Sequence, residues 1–352
     1  MIRVGIAGVG FMGMVHYLCY RDLPGVEVVA IADRHPERLA GDWTAIRGNF
    51  GPPGEQMDLA GVASYASPEE MIADTSVDLI DICLPPAQHM RVTTAALAAG
   101  KHVFCEKPMA LSLGDCDRML AAADAANRQL LIGHVLPYFP EYAWALREVR
   151  GGGHGRVLGA SFKRVVADPE WVAQFWEADV VGGPMLDLHV HDAHFIRLTL
   201  GDPTEVTTRG LMRGDLPEHW HTLMEFGASR ERLTVEATSG VLRQQGRQFV
   251  HGFEIRFERT TLAFEFLVQG ESAGYTCPPT VYCDAGEATT VDLGNADPMQ
   301  AFHAELSDVA ASIESGRPAD ALSGVLARDA IGLCERQSEC LRRSIARSEA
   351  PS

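Results

Sequence analysis

Cysteine pairs, long apolar runs and runs of basic residues are what this 352-residue sequence lacks. None of its eight cysteines forms a C-x-x-C pair, so we expect neither zinc nor disulfides and interpret the cysteines as small core residues. No apolar run could span a bilayer, and the opening MIRVGIAG predicts a strand rather than a signal peptide. The formal net charge of −17 repels phosphate backbones and anionic lipid surfaces. We therefore expect a cytoplasmic protein that binds neither nucleic acid nor membranes.

The composition is that of a globular protein, with 46% hydrophobic and 22% charged residues. The length exceeds what one core usually needs and is comfortable for two domains. In the first third, short strands that are apolar on both faces alternate with helices, which predicts a parallel sheet covered on both sides. The predicted strands are residues 2–7, 26–32, 77–84, 102–104 and 130–133, and the helices start near Met12, Pro36, Ala87 and Leu113.

The sequence pattern changes after Gly133. Apolar residues alternate with polar ones over residues 253–257 and 262–266, which predicts a hairpin with one buried face. Two amphipathic helices are predicted near the C-terminus. We expect an α/β fold, with a doubly wound parallel sheet over residues 1–133 and an α+β domain with a mostly antiparallel sheet over residues 134–352.

The segment GVGFMG follows the first predicted strand and opens the first helix. Gly8, Gly10 and Gly13 let the chain turn tightly, let the backbone approach a pyrophosphate, and point a helix N-terminus at it. Phe11 and Met12 lie within the same loop. The spacing also occurs in ordinary strand-to-helix turns, but its position in a β-α-β unit favours dinucleotide binding, here through all five residues.

Asp33 follows the second predicted strand, where a carboxylate can accept hydrogen bonds from the adenosine ribose. The added phosphate of NADP would be repelled there, so Asp33 predicts a preference for NAD. Arg34 is suited to bind that phosphate, and NADP therefore stays possible. The alternative is that Asp33 only caps the turn before Pro36.

Two further segments end strands at the same edge of the parallel sheet, the edge at which open α/β sheets bind ligands. Leu84, Pro85 and His89 follow one strand, and Glu106 and Lys107 follow the next, so we predict that all five line the cofactor site. Capping of the next helix is an equal alternative for His89. Glu-Lys-Pro is also typical of a surface turn.

Residues 182–201, GGPMLDLHVHDAHFIRLTLG, predict a helix on which Asp187, His191 and His194 share one stripe. Such a stripe faces solvent or a site, and the apolar residues around it favour a site. A metal is a third alternative, with ligands drawn from the histidines at 189, 191, 194, 219 and 221. No H-E-x-x-H or Cys/His pattern supports it, so we expect no metal.

The order and spacing of the glycine loop, Glu106-Lys107-Pro108 and Asp187-x-x-x-His191 resemble those of the GFO/IDH/MocA oxidoreductases. The resemblance extends over nearly the whole chain. It implies an N-terminal Rossmann domain and an NAD(P) cofactor. It also implies a C-terminal domain whose open, mostly antiparallel sheet binds substrate and builds a homodimer or homotetramer.

The resemblance further implies roles for individual residues. Lys107 would contact substrate and nicotinamide, Glu106 the cofactor ribose, Asp187 a substrate hydroxyl, and His191 would transfer the proton. A base that titrates near neutrality suits the loss of a hydroxyl proton as hydride leaves the carbinol carbon. His194 replaces an aspartate and Pro137 an arginine that many members carry, which leaves the identity of the substrate open.

We therefore predict an NAD(P)-dependent oxidoreductase that acts on CH–OH groups. It would interconvert a secondary alcohol and a ketone on a sugar, inositol or related polyhydroxylated molecule. One alternative is a glycosidase of the same fold that uses tightly held NAD for a transient oxidation. The other is a non-catalytic dinucleotide-binding sensor, which would have no need for Lys107, Asp187 and His191 together.

Overall fold

The computed structural model describes residues 1–170, 172, 174–227, 233–294 and 297–349. The chain divides into two compact units. Of the described residues, the first unit holds 1–139 and 297–328, and the second holds 140–294 and 329–349. Each unit has a sheet of its own.

A six-stranded parallel sheet forms the first unit, with the strand order β3-β2-β1-β4-β5-β6. Its strands are β1 (Ile2–Ala7), β2 (Val26–Ala32), β3 (Ala63–Tyr65), β4 (Leu79–Ile82), β5 (His102–Glu106) and β6 (Leu130–Gly133). Its helices up to residue 139 are α1 (Phe11–Arg21), α2 (Pro36–Leu39), α3 (Pro68–Ile72), α4 (His89–Ala98) and α5 (Leu113–Ala126). This order is that of the Rossmann fold. In that fold the order of the strands along the sheet reverses between β1 and β4, and ligands bind at that point.

The local sequence explains these elements. Val4, Ile6 and every residue of β4 are buried, as expected for strands covered on both faces. Helices α3 and α5 begin where the chain supplies caps: Ser67 Oγ accepts the Glu70 N–H, and Ser112 Oγ accepts the Asp115 N–H.

An eight-stranded sheet forms the second unit, with the order β14-β13-β12-β11-β7-β10-β9-β8. Its strands are β7 (Val157–Ala167), β8 (Glu205–Arg213), β9 (Leu216–Phe226), β10 (Leu233–Leu242), β11 (Arg247–Phe257), β12 (Thr260–Gln269), β13 (Ser272–Cys283) and β14 (Ala288–Thr290). All neighbours are antiparallel except β7 and β10. The predicted hairpin is β11 and β12, in which Phe253 lies opposite Phe264. The predicted fold class is confirmed.

Helices α6 (Pro140–Gly151) and α7 (Val190–Leu200) also belong to the second unit. Helix α8 (Pro298–Ser315) belongs to the first, and α9 (Gly324–Glu349) begins there. The buried stripe of α8, with Phe302, Leu306 and Val309, packs in one core with α1. Residues 297–328 thus belong to the Rossmann unit. The sequence analysis, which set one boundary after residue 133, assigned them to the second domain. Among the described residues, no helix is both long and apolar enough to cross a membrane.

Candidate functional site

The glycine loop joins β1 to α1 in the first unit. A Cβ at Gly8, where φ is +96°, would lie 2.7 Å from the Cys83 carbonyl oxygen, and a Cβ at Gly13 would overlap the Gly8 carbonyl oxygen. Both positions therefore require glycine for the packing of the loop itself. Gly10 differs, because a Cβ there would meet nothing within 4 Å. The open space at Gly10 lies where a pyrophosphate would approach the backbone.

Helix α1 begins at Phe11, directly after this open position. Gly10 is its N-cap, and no side chain caps its first amide groups. Phe11 packs edge-on against Phe50, with ring centroids 4.8 Å apart, and Met12 is half-buried. The uncapped amides of this eleven-residue helix are suited to bind an anion. The loop thus fits the dinucleotide predicted for it.

Asp33 follows β2 and is only 7% exposed. Its Oδ2 accepts the Val9 N–H of the glycine loop at 2.8 Å, and its Oδ1 accepts the His35 N–H at 2.9 Å. The second bond is the turn cap considered from the sequence, whereas the first ties the carboxylate to the glycine loop. Oδ1 can accept a second hydrogen bond, so the cap does not prevent binding of a ribose hydroxyl.

Two arginines lie near this carboxylate. Arg34 is exposed, and its Nε donates to His35 Nε2 at 3.2 Å. Arg38, which the sequence analysis missed, places Nη1 3.4 Å from Asp33 Oδ2. The sequence signal for Arg38 was its position in the short helix that follows Asp33. Arg38 partly balances the charge of Asp33 and could contact a ribose phosphate.

Leu84, Pro85 and His89 follow β4. Leu84 borders the glycine loop, with its Cδ2 3.1 Å from the place of a Gly8 Cβ, and Pro85 is exposed. His89 is fully buried, with Nε2 2.7 Å from the Leu84 carbonyl oxygen and Nδ1 2.8 Å from that of Pro108. Burial lowers the pKa of His89. Its ring lies between two loops of the candidate site, with each nitrogen within hydrogen-bond distance of a backbone carbonyl oxygen.

Glu106 ends β5, and Lys107 follows it. Glu106 is 8% exposed, its Oε2 accepts the backbone N–H of Lys107 at 3.1 Å, and its Oε1 lies 3.2 Å from His16 Nε2. Lys107 is half-buried, and its bond to Pro108 is cis. The carboxylate thus faces the interior of the unit on one side, whereas the resemblance directs it to the cofactor ribose.

A buried polar cluster behind Glu106 was missed in the sequence. His16 Nδ1 lies 2.9 Å from Asp81 Oδ2 and 3.2 Å from Cys83 Sγ, which is 3.4 Å from Asp81 Oδ1. Burial lowers the pKa of His16, but the neighbouring Asp81 carboxylate outweighs it, and the pKa lies well above the ordinary value. The signal was a histidine on the buried face of α1 and an aspartate within an apolar strand.

This cluster is also the one group of three potential metal ligands found among the described residues. Its donor and acceptor atoms are separated by hydrogen-bond distances, so the groups satisfy one another directly. The histidines considered as ligands from the sequence form no such group within the part of the chain that the structure describes.

The remaining predicted site residues lie in the second unit. The helix predicted over residues 182–201 starts with a π-helical turn, Met185–His189, and continues as α7. A π turn inserts an extra residue and changes the stripe expected from α-helical spacing, and such turns are frequent at functional sites. Asp187 and His191 are half-buried and His194 is fully buried, so these residues do not form a solvated helix face.

His189 and Pro137 are both buried in the interior of their units. His189 is buried, its Nδ1 lies 2.7 Å from Ser239 Oγ, and its ring meets Trp220 edge-on. Burial lowers the pKa of His189 to about 4, so it is a neutral core histidine at pH 7. Pro137 is buried in a short helical turn of the first unit, Leu136–Tyr138.

A buried ion pair fixes α7 to the sheet of the second unit. Arg164 of β7 binds Asp192 with both arms of its guanidinium, at 2.7 and 3.1 Å. A further N–H of Arg164 donates to the Tyr142 hydroxyl at 3.2 Å. Asp192 directly follows His191, so this pair also fixes the backbone that carries the predicted base.

Comparison with known proteins finds a family match for most of the N-terminal part of the first unit. Residues 2–134 match the family model GFO_IDH_MocA, described as an oxidoreductase family with an NAD-binding Rossmann fold. Over these residues the chain is similar to the GFO/IDH/MocA oxidoreductases. The resemblance inferred from the motifs is thereby confirmed, and the glycine loop, Asp33 and Glu106-Lys107 all lie within the matched GFO/IDH/MocA region.

Two relatives each match a little more than half of the chain. The myo-inositol 2-dehydrogenase of Thermotoga maritima is 28% identical over 208 residues, which are 58% of this chain and 56% of that protein. The inositol 2-dehydrogenase of Pseudomonas savastanoi pv. phaseolicola is 32% identical over 203 residues, 57% and 55% of the two proteins. The chain thus matches little more than half the length of either relative.

Solved structures extend the likeness of fold to nearly the whole chain. A levoglucosan dehydrogenase in complex with NADH and L-sorbose has a TM-score of 0.76 at 21% sequence identity, and the match covers 97% of both chains. This likeness shows that both units have the fold of that enzyme.

Proposed function

We propose that the protein is an NAD-dependent oxidoreductase that interconverts a secondary alcohol and a ketone on a sugar, inositol or related polyhydroxylated molecule. The observation that carries the proposal is the hydrogen bond from the Val9 N–H to Asp33, which holds a carboxylate beside the open position at Gly10. The names of the relatives, inositol dehydrogenases, support the substrate class. We also propose a homodimer or homotetramer in the cytoplasm.

In this proposal, the glycine loop and Asp33 would hold the dinucleotide, whose nicotinamide would supply the hydride acceptor for the carbinol carbon. Lys107 donates a hydrogen bond to the reacting oxygen, and Asp187 accepts one from a substrate hydroxyl. The proton of the reacting hydroxyl passes to His191 as the carbonyl forms, which yields a ketone and an imidazolium. The half-buried positions of all three residues are consistent with groups that contact a ligand.

A substrate screen tests the proposal. The purified protein is mixed with sugars, inositols and their acids in the presence of NAD or NADP, and the absorbance of the reduced nicotinamide is followed. We expect reduction with at least one polyol. Glycoside cleavage without net reduced cofactor would instead indicate the glycosidase. Dinucleotide binding with no turnover of any compound would indicate the sensor.

Protein variants, assayed with the substrate found active in the screen, test the roles of the residues. Lys107→Ala and His191→Ala should each lower kcat by about two to four orders of magnitude, the loss expected for a positioned acid–base group. The dissociation constant of NADH, measured by fluorescence, should change far less. Normal turnover by both variants would show that the catalytic residues lie elsewhere.

A further inference from the structure

We propose that His16 is a positioning residue for Lys107. Its ring holds the Glu106 carboxylate and, through Glu106, the end of β5 that presents Lys107. The proposal rests on the proposed function, in which Lys107 contacts the reacting oxygen.

The ring of His16 lies between carboxylates from two neighbouring strands. Nδ1 hydrogen-bonds Asp81 of β4 at 2.9 Å, while Nε2 lies 3.2 Å from Glu106 of β5 as an ion pair rather than an aligned hydrogen bond. His16 and Asp81 are wholly excluded from solvent, and Glu106 nearly so. An imidazolium satisfies both carboxylates, whereas a neutral ring would leave one of them without a countercharge.

The contact continues from Glu106 to the backbone of Lys107. One oxygen of Glu106 faces His16, and the other accepts the Lys107 N–H at 3.1 Å. The neighbouring strand leaves room for this placement, because a Cβ at Gly133 would lie 3.2 Å from Glu106 Oε1. A displaced Glu106 carboxylate would therefore move the backbone from which the Lys107 side chain extends.

Three other titratable groups near the ring, Cys83, Tyr20 and Glu305, do not supply a cation. Burial raises the pKa of the Cys83 thiol, which stays protonated. Glu305 of α8 is fully buried, and burial followed by Glu106 raises its pKa well above the ordinary value, so it stays neutral as well. Asp81 and Glu106 then share His16 as their positive partner. Its loss would leave two buried carboxylates that repel each other or take up a proton.

Two substitutions separate the two contacts of His16. In His16→Asn the amide nitrogen can occupy the place of Nδ1 and bind Asp81, but nothing reaches Glu106. In His16→Gln the longer side chain can reach Glu106. We expect His16→Asn to lower kcat about 10- to 100-fold, the scale of a small misplacement of a catalytic group, with little change in KM or NADH affinity. His16→Gln should retain more of the turnover.

A double-mutant cycle and a packing control separate this role from a loss of stability. If His16 acts through Glu106, the loss of kcat in His16→Asn/Glu106→Gln should not exceed that of the more affected single variant. Val15→Ala removes buried side-chain atoms from the same helix but keeps His16, so it should leave kcat near wild type. Additive losses in the cycle, or an equal loss in Val15→Ala, would overturn the proposal.

A measurement independent of activity examines the ring itself. Long-range ¹H–¹⁵N spectra at about pH 8, where an ordinary histidine is neutral, should show both nitrogens of His16 protonated, with the signal assigned by its absence in His16→Asn. A neutral ring would overturn the proposal. If wild-type protein reduced no cofactor in the screen, the proposed function would fail and Lys107 would lose its role. The spectrum and an unfolding cycle between His16 and Glu106 would still decide whether the contact exists.

Discussion

Asp33 combines two tasks, and this decides how its substitution should be designed. Its Oδ2 supports the glycine loop through Val9, and its charge opposes a phosphate on the ribose. Asp33→Asn keeps an oxygen for Val9 and removes the charge, whereas Asp33→Ser removes both. We expect each variant to shift the ratio of kcat/KM for NAD and NADP toward NADP. For Asp33→Ser the shift should be about ten- to a hundredfold, since hydrogen bonds to charged groups contribute about 1.5–3 kcal/mol.

The outcome for Asp33→Asn distinguishes the two effects. A shift in both variants would assign the preference to charge, while a shift confined to Asp33→Ser would assign it to support of the loop. Arg38→Ala in the Asp33→Ser background should reverse part of the gain for NADP, because Arg38 lies beside that carboxylate. A wild-type preference for NADP would show that the ribose contact is misassigned. So would a ratio of kcat/KM for NAD and NADP that does not change when Asp33 is replaced.

His189 predicts a dependence of stability on pH. Its folded-state pKa of about 4 lies below the ordinary value near 6.5, so the unfolded chain binds the proton more readily. The free energy of unfolding should therefore fall as the pH drops from about 6.5 to 4, by up to about 3 kcal/mol from this residue. Urea unfolding of wild type and His189→Gln across this range measures the difference. Equal pH slopes in both proteins would contradict the assignment.

The ion pair between Arg164 and Asp192 joins two elements, β7 and α7, and its loss should destabilise the packing of both. Replacing one partner, as in Asp192→Leu, leaves a buried charge and should lower the free energy of unfolding by about 3–5 kcal/mol. Arg164→Met combined with Asp192→Leu should recover most of this loss. Arg156→Met, which breaks the exposed pair with Glu258, should cost much less. If the double variant lost as much free energy of unfolding as the two single variants together, the two residues would not be coupled.

At the level of elements, the sequence predicts most where local pattern decides. The predicted bounds 2–7, 26–32 and 130–133 agree with β1, β2 and β6, because apolar runs end at turn residues there. The cap at Ser112 likewise places the start of α5. The π turn at Met185–His189 was not predicted, since α-helical and π-helical turns share the same residue preferences and only the packing distinguishes them.

At the level of the whole molecule, long-range contacts are what the sequence does not reveal. The residues at the ends of β1, β2, β4 and β5 could be grouped because parallel strands end at a common edge. The contact of His16 with Asp81 and Glu106 required the register of three elements, and apolar neighbours concealed it. The return of α8 to the first unit brings together residues 280 positions apart in the chain, since the Cys19 thiol lies 3.8 Å from the Met299 carbonyl oxygen.

This return predicts how fragments should behave. Residues 1–139 alone would expose the apolar face of α1 that α8 covers, whereas the same residues joined by a flexible linker to 297–328 would bury it. We expect the joined fragment to unfold cooperatively and to bind NADH, and the short fragment to be much less stable or to aggregate. Leu306→Asp, which places a charge in this core, should return the joined fragment to the behaviour of the short one. If calorimetry found both fragments equally stable, α8 would not be part of the Rossmann core, and a boundary near residue 133 would describe the domains.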